Sequence, residues 1–250
     1  MRPRFFQGVA ALVLALAAAS ARGDEIKVIS GGAARSFVEP LAKSFPGHTV
    51  LLDWQPMGRL MQSLVAGQPA DMVIVTQEVA AELQAQHRIH PGTARPLARV
   101  GIGVAVHESA PLPDISTPQA FRNALLAAKS VVYIDPKTGT SGKHVAEVLA
   151  RLGIADEVNR KATLGQGGYI VAPVGRGEIE LGIHQVSEIL PVKGVKLVGE
   201  LPSELQKYTV YVAAPLPSSG KAALVEQFIG HLRAPHARER LASAGYTLPE

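Results

Sequence analysis

The sequence predicts an α/β protein made of two linked units, each a sheet flanked by helices. Three observations carry that reading. Short apolar runs recur, and most lead through a glycine or small polar residue into a stretch with helical spacing. This strand-to-helix rhythm repeats three times, reaches the apolar segment 99–107, and then starts again. A strand at 208–213 leaves the second unit, and two helical stretches, 221–232 and 234–244, close the chain.

Arg2 and Arg4 precede an apolar run at 9–18, and Ala19-Ser20-Ala21 supplies a small-x-small cleavage pattern. Residues 1–21 therefore read as an export signal, which predicts a periplasmic protein. The run is short for a bilayer span and polar sequence follows it, so no membrane anchor is expected. The 250 residues include no cysteine, which excludes disulfides, thiolate metal sites, a cysteine nucleophile and a lipid-modified cysteine. A mature chain of nearly 230 residues is long enough for one or two domains. The net charge of +4 falls by two without Arg2 and Arg4, and no block of Lys or Arg stands out. Nucleic acid is thus not an expected partner. Aromatic residues make up 5%, which argues against a stacking platform for sugars or bases.

In order, 26–30 is an apolar strand ending at Gly31-Gly32, and 33–45 a helix with Phe37, Leu41 and Phe45 on one face. Strand 48–54 and helix 58–66 follow, the helix turning Leu60, Met61 and Leu64 inward. Strand 70–75 leads through Thr76 into a helix reaching 86. This order predicts a parallel sheet. Segment 99–107 reads as one further strand. Beyond it come helix 117–128, strand 130–134, helix 143–153, a helix at 169–176 opened by Gly165-Gln-Gly-Gly168 and shortened by Pro173, strand 180–185, a turn at 186–190 and strand 195–199. The expected lobes are 22–104 plus 209–250, and 105–208, hinged near 104–108 and 205–210.

The stretch Tyr133-Ile-Asp-Pro-Lys-Thr-Gly-Thr-Ser-Gly-Lys-His144 is the centre of the functional reading. A strand runs into a small-residue turn and then a helix, so the helix's first N–H groups face whatever lies above the turn. Thr138, Thr140 and Ser141 add hydroxyls, while Gly139 and Gly142 allow close approach to the backbone. The plainer alternative is an ordinary helix cap. No phosphate loop, dinucleotide fingerprint or Gly-x-Ser-x-Gly elbow occurs, which argues against nucleotide enzymes and hydrolases.

Five segments taken in order resemble the periplasmic molybdate-binding proteins of ABC importers: Val28-Ile-Ser-Gly-Gly-Ala-Ala34, 58–74, Asp135-Pro-Lys-Thr-Gly-Thr-Ser-Gly142, Leu152-Gly153 and Gly177-Glu-Ile-Glu-Leu-Gly-Ile183. The resemblance implies a type II, Venus-flytrap fold closing over a tetrahedral oxyanion, and a membrane permease as partner. The family's pocket is not kept whole. Its two serines fall near Ala33 and near Met57 or Gly58, its tyrosine is replaced by Gln185 beside His184, and Arg35 stands where a small hydroxyl residue is usual. Fixed cations suit carboxylates, which Arg holds through paired hydrogen bonds. The Ser-Gly-Gly start and Gly182-x-x-x-x-Ser-Glu-Ile-Leu190 also resemble periplasmic aconitate isomerases. That resemblance implies a cofactor-free proton transfer within a tricarboxylate.

The expected function is anion capture for an importer by a monomer, with the isomerase as alternative. Candidate ligand contacts are Ser30, Gly31, Arg35, Gly58, Arg59, Thr76, Thr138, Ser141, Gly142, Gly168 and Gln185; His184 or His144 is the base if turnover occurs. Each has an ordinary reading too, the arginines as solvated helix faces and the histidines as buried or exposed structural groups. Asp53 and Asp135 read as turn caps. The remaining histidines lack metal-ligand spacing, so neither metal nor cofactor is expected.

Overall fold

The computed structural model describes residues 23–249, so the expected export signal lies outside the described residues. Strand β1 (Glu25–Gly31) passes through a 3-10 turn at Gly32–Ala34 into α1 (Arg35–Lys43), and β2 (Thr49–Gln55) into α2 (Met57–Val65). Strand β3 (Met72–Thr76) enters α3 (Gln77–Ala85), where the Thr76 hydroxyl accepts from the Val79 amide and caps the helix. Then come β4 (Arg95–Val100), β5 (Ile102–His107), α4 (Pro118–Ala127), β6 (Val131–Ile134) and α5 (Thr140–Arg151). The chain continues through α6 (Ala155–Asn159), β7 (Ala162–Gly165), α7 (Ala172–Gly175), β8 (Leu181–Gln185), α8 (Val186–Ile189) and β9 (Val195–Glu200). It ends with β10 (Thr209–Pro215), α9 (Ala222–Arg233) and α10 (Pro235–Ser243).

Two five-stranded sheets result, ordered β2-β1-β3-β10-β4 and β7-β6-β8-β5-β9. The expectation of a parallel sheet holds for β1 with β2 and β3, and for β6 with β7 and β8. It fails at β10 and β5, each antiparallel to both neighbours. The reason is connectivity: these strands follow crossovers from the opposite sheet and so enter against the grain of the βα units. The segment 99–107 likewise proves to be two strands in different sheets, with Gly101 between them. Apolar residues on both sides of Gly101 hid the change, because each half is buried in its own sheet. The second passage lies between Glu200 and Thr209. Gln206 ties the two passages together, its amide accepting from the Ile102 N–H at 3.0 Å and donating to the Ile102 carbonyl at 2.9 Å.

Each lobe has its own core. In the first, Phe37, Leu41, Leu60 and Phe228 cover the sheet. In the second, Phe121, Leu125 and Leu149 fill one face, and Val171, Val174 and Ile189 the other. Val186 of α8 packs into the first lobe's core although its helix belongs to the second sheet. The helix expected at 169–176 shrinks to α7, because Gly167 and Gly168 have positive φ, 128° and 69°, and Pro173 sits within it.

Candidate functional site

A cavity of about 260 Å³ lies between the two sheets. The first lobe contributes Ala33, Arg35, Trp54, Gln55, Pro56, Met57 and Tyr211. The second contributes Ile134, Gly139 to Ser141, Gln166 to Tyr169, His184, Gln185 and Glu188. Its floor is made where strands end and helices begin: β1 with its 3-10 turn, β6 with α5, and β8 with α8. Among the described residues no side chain caps helix α5, so its first-turn amides are open donors beside Ser141. Gly142 is forced here, since a Cβ would collide with the Ile134 carbonyl.

His184, at the end of β8, is fully buried. Its Nε2 lies 2.9 Å from Glu188 Oε2 and 3.2 Å from the Gly168 carbonyl oxygen. Both are acceptors, so Nε2 carries the proton. Nδ1 is left to accept from the Ser141 hydroxyl at 3.3 Å. Glu188 is itself buried on α8, one turn from His184. Tyr211 donates to Gln185 Oε1 at 3.2 Å, and Gln185 passes a donor to Thr209 at 3.0 Å. Burial, reinforced by the negative charge of Glu188, pushes the Tyr211 phenol well above its ordinary range, so it stays a donor. On the opposite wall the Arg35 guanidinium lies 5.1 Å from the Trp54 ring and 6.0 Å from the Tyr169 ring. Among the described residues its buried Nε has no hydrogen-bond partner.

The structure brings together Arg35, Ser141, Gly168, His184 and Gln185 from among the candidates. The others stand outside the cavity. Ser30 is buried and bonds to the Gly31 carbonyl; Gly31 lacks a side chain because Met57 and Tyr211 occupy that space. Thr76 is the cap of α3. Gly58 and Thr138 face each other across the lobes, the Gly58 amide donating to the Thr138 carbonyl at 3.3 Å. Arg59 is exposed, as the helix dipole favours for a cation in a first turn. Gly142 supports α5 from behind, and His144 Nε2 donates to the Leu205 carbonyl at 2.6 Å, holding the second passage. Asp135 caps its turn as expected, accepting from the Lys137 amide, but Asp53 does not: it lies within β2 and accepts from the side-chain amides of Gln55 and Gln68. Glu188, Trp54, Tyr169 and Tyr211 were not foreseen. The one available signal was the spacing of His184 and Glu188 across a strand-to-helix junction.

A family model described as bacterial extracellular solute-binding protein matches residues 26–247. The chain belongs to the bacterial extracellular solute-binding proteins. Among this solute-binding protein's relatives, an aconitate isomerase from a Pseudomonas species is 30% identical over 183 residues, 73% of this chain and 69% of the relative. The molybdate-binding protein ModA of Escherichia coli is 26% identical over 247 residues, 96% of this chain and 95% of that protein. The periplasmic molybdate-binding protein of Azotobacter vinelandii superposes with a TM-score of 0.78 at 20% identity, covering 90% of this chain and all of that one. The solute-binding protein therefore has the two-lobe type II fold. No helix among its described residues is long and apolar enough to cross a membrane.

Proposed function

We propose that this solute-binding protein closes over a small polycarboxylate in the periplasm and moves a proton within it, as an isomerase of the aconitate type. The observation that supports this reading is the buried pair His184–Glu188, joined to Ser141 on the wall of the cavity. A receptor for a free anion gains nothing from a buried carboxylate in its wall, because like charges repel there. A proton-transfer site does gain, since the carboxylate orients the imidazole and stabilises it once protonated.

In the proposed cycle Arg35 holds one carboxylate of the acid. His184 Nδ1, beside Ser141, takes a proton from the methylene carbon next to the double bond. The electron pair delocalises over the three-carbon unit toward a carboxylate, where Arg35 and the first-turn amides of α5 favour the added charge. Return of the proton at the other end of the unit shifts the double bond. The acid neither gains nor loses atoms, and no cofactor enters.

The second reading is capture of an anion for an importer permease. It draws on the match along nearly the whole chain to solute-binding proteins and on the hydroxyl and amide donors at α5. One experiment separates the two. The purified protein is mixed with cis- or trans-aconitate while ultraviolet absorbance is followed, and molybdate and the acids are titrated by calorimetry. Turnover at catalytic protein levels, reduced on the order of 10²–10⁴-fold by His184→Ala, supports the isomerase. Tight molybdate binding without turnover overturns it in favour of the receptor.

A further inference from the structure

We propose that Ser141 is an activated nucleophile, so that the cavity also cleaves small acyl esters. The sequence carries no nucleophile elbow, yet the fold assembles the equivalent groups from three places. Ser141 comes from the first turn of α5, His184 from the end of β8, and Glu188 from α8. Ser141 Oγ stands 3.3 Å from His184 Nδ1, and His184 Nε2 stands 2.9 Å from Glu188 Oε2. Hydroxyl, imidazole and carboxylate thus lie in line, with the acid on the ring nitrogen away from the serine, which is the order of roles in a nucleophilic triad. The Gly168 carbonyl, 3.2 Å from Nε2, helps fix the same tautomer. All three side chains line the cavity while being over nine-tenths buried. A small ester can therefore reach the hydroxyl with little competing water.

The chemistry balances with water as the only co-reactant. Ser141 Oγ bonds to the ester's carbonyl carbon as its proton passes to His184 Nδ1, and the carbonyl π pair moves onto oxygen. That oxyanion faces the open amides of the first turn of α5. Its collapse breaks the carbon–alkoxide bond, and the alkoxide leaves as an alcohol with the proton from Nδ1. Water, deprotonated by the same nitrogen, then frees the acid and restores the serine. Free carboxylates are poor acyl donors, so with acids the relay transfers only protons, and acyl transfer is confined to esters. The inference rests on the Ser141–His184–Glu188 contacts and not on the tricarboxylate reading.

The test treats the whole protein with p-nitrophenyl acetate and with a small alkyl fluorophosphonate, locating any adduct by peptide mass spectrometry. The expected result is steady release of nitrophenolate and a single phosphonylated residue, Ser141, both lost in Ser141→Ala. Glu188→Gln should slow both on the order of 10²-fold. Ser141→Cys covers the case in which Ser141→Ala misfolds. The chain has no other thiol, and a cysteine beside His184 should react with iodoacetamide below the ordinary thiol range. Labelling no faster than in urea-unfolded protein, adducts elsewhere, or ordinary thiol reactivity in the Ser141→Cys variant overturns the proposal. Because the probes are not tricarboxylates, failure here leaves the aconitate assay to be judged by itself.

Discussion

The Arg35 guanidinium lies near the rings of Trp54 and Tyr169 and its Nε hydrogen has no acceptor among the described residues, an arrangement that suits a carboxylate at the guanidinium edge. Replacing it by Ala should weaken binding of trans-aconitate by about 2–5 kcal/mol in calorimetric titration. Arg35→Lys should recover only part of this, since an ammonium offers neither the fork nor the stack. Unchanged affinity in Arg35→Ala would remove the residue from the site. Arg35 could be singled out in the sequence because it stands near a glycine turn where a hydroxyl residue is usual. Glu188 could not, because reasoning from an anionic ligand discards carboxylates. Its value emerges only when the fold places it 2.9 Å from His184. Ser30 shows the opposite failure: a strand-end serine looks exposed to the cleft in sequence, yet its side chain turns into the core.

The junction of β6 with α5 depends on Gly142, whose missing side chain lets the helix start directly above the Ile134 carbonyl. Gly142→Ala should lower stability by about 1–3 kcal/mol through overpacking, read as a shift in urea midpoint. It should also displace Ser141 from His184, so catalytic loss should exceed the stability loss. A second junction is held by charge. Asp71 accepts from the Lys27 amide at 2.8 Å and from Ser219 at 2.9 Å, and meets Lys221 at 3.5 Å, joining β1 to the approach to α9. Burial alone would raise its pKa, but the Lys27 amide, Ser219 and Lys221 together hold it below the ordinary 3.8. A depressed carboxyl stabilises the fold above its unfolded value, and the benefit disappears as pH falls through the folded value. Asp71→Asn should therefore cost about 1–3 kcal/mol near neutrality, and its urea midpoint should fall less than wild type's as pH drops below 4. Elements with a buried apolar run, such as β1, β3 and β8, were legible in the sequence. Strand β7 was not, because an edge strand with two of its four residues exposed carries no alternation.

At the scale of the whole molecule the two-lobe design was readable from the restart of the strand-to-helix rhythm, but the point where the chain changes sheets was not. Several contacts cross the cleft besides the Tyr211–Gln185 bond and the seating of Val186 in the first lobe's core. The Gly58 amide meets the Thr138 carbonyl at 3.3 Å, the Ser187 hydroxyl donates to the Ala33 carbonyl at 2.9 Å, and Gly167 approaches Pro56. A Cβ built on Gly167 would lie 4.0 Å from Pro56 Cβ, within the span that a disulfide bridges. Pro56→Cys with Gly167→Cys should thus form a bond only when the lobes are shut, in a chain that has no other cysteine. The φ of 128° at Gly167 is unfavourable for any side chain, so the reduced double variant should melt somewhat below wild type. If ligand enters by opening about Gly101 and the passage between Glu200 and Thr209, the oxidised protein should neither load nor release trans-aconitate, and reductant should restore both. The rate of disulfide formation should rise when ligand is present, because a ligand touching both walls raises the closed population. Exchange at the wild-type rate in the fully oxidised protein would mean that ligand reaches the cavity without separation of the lobes.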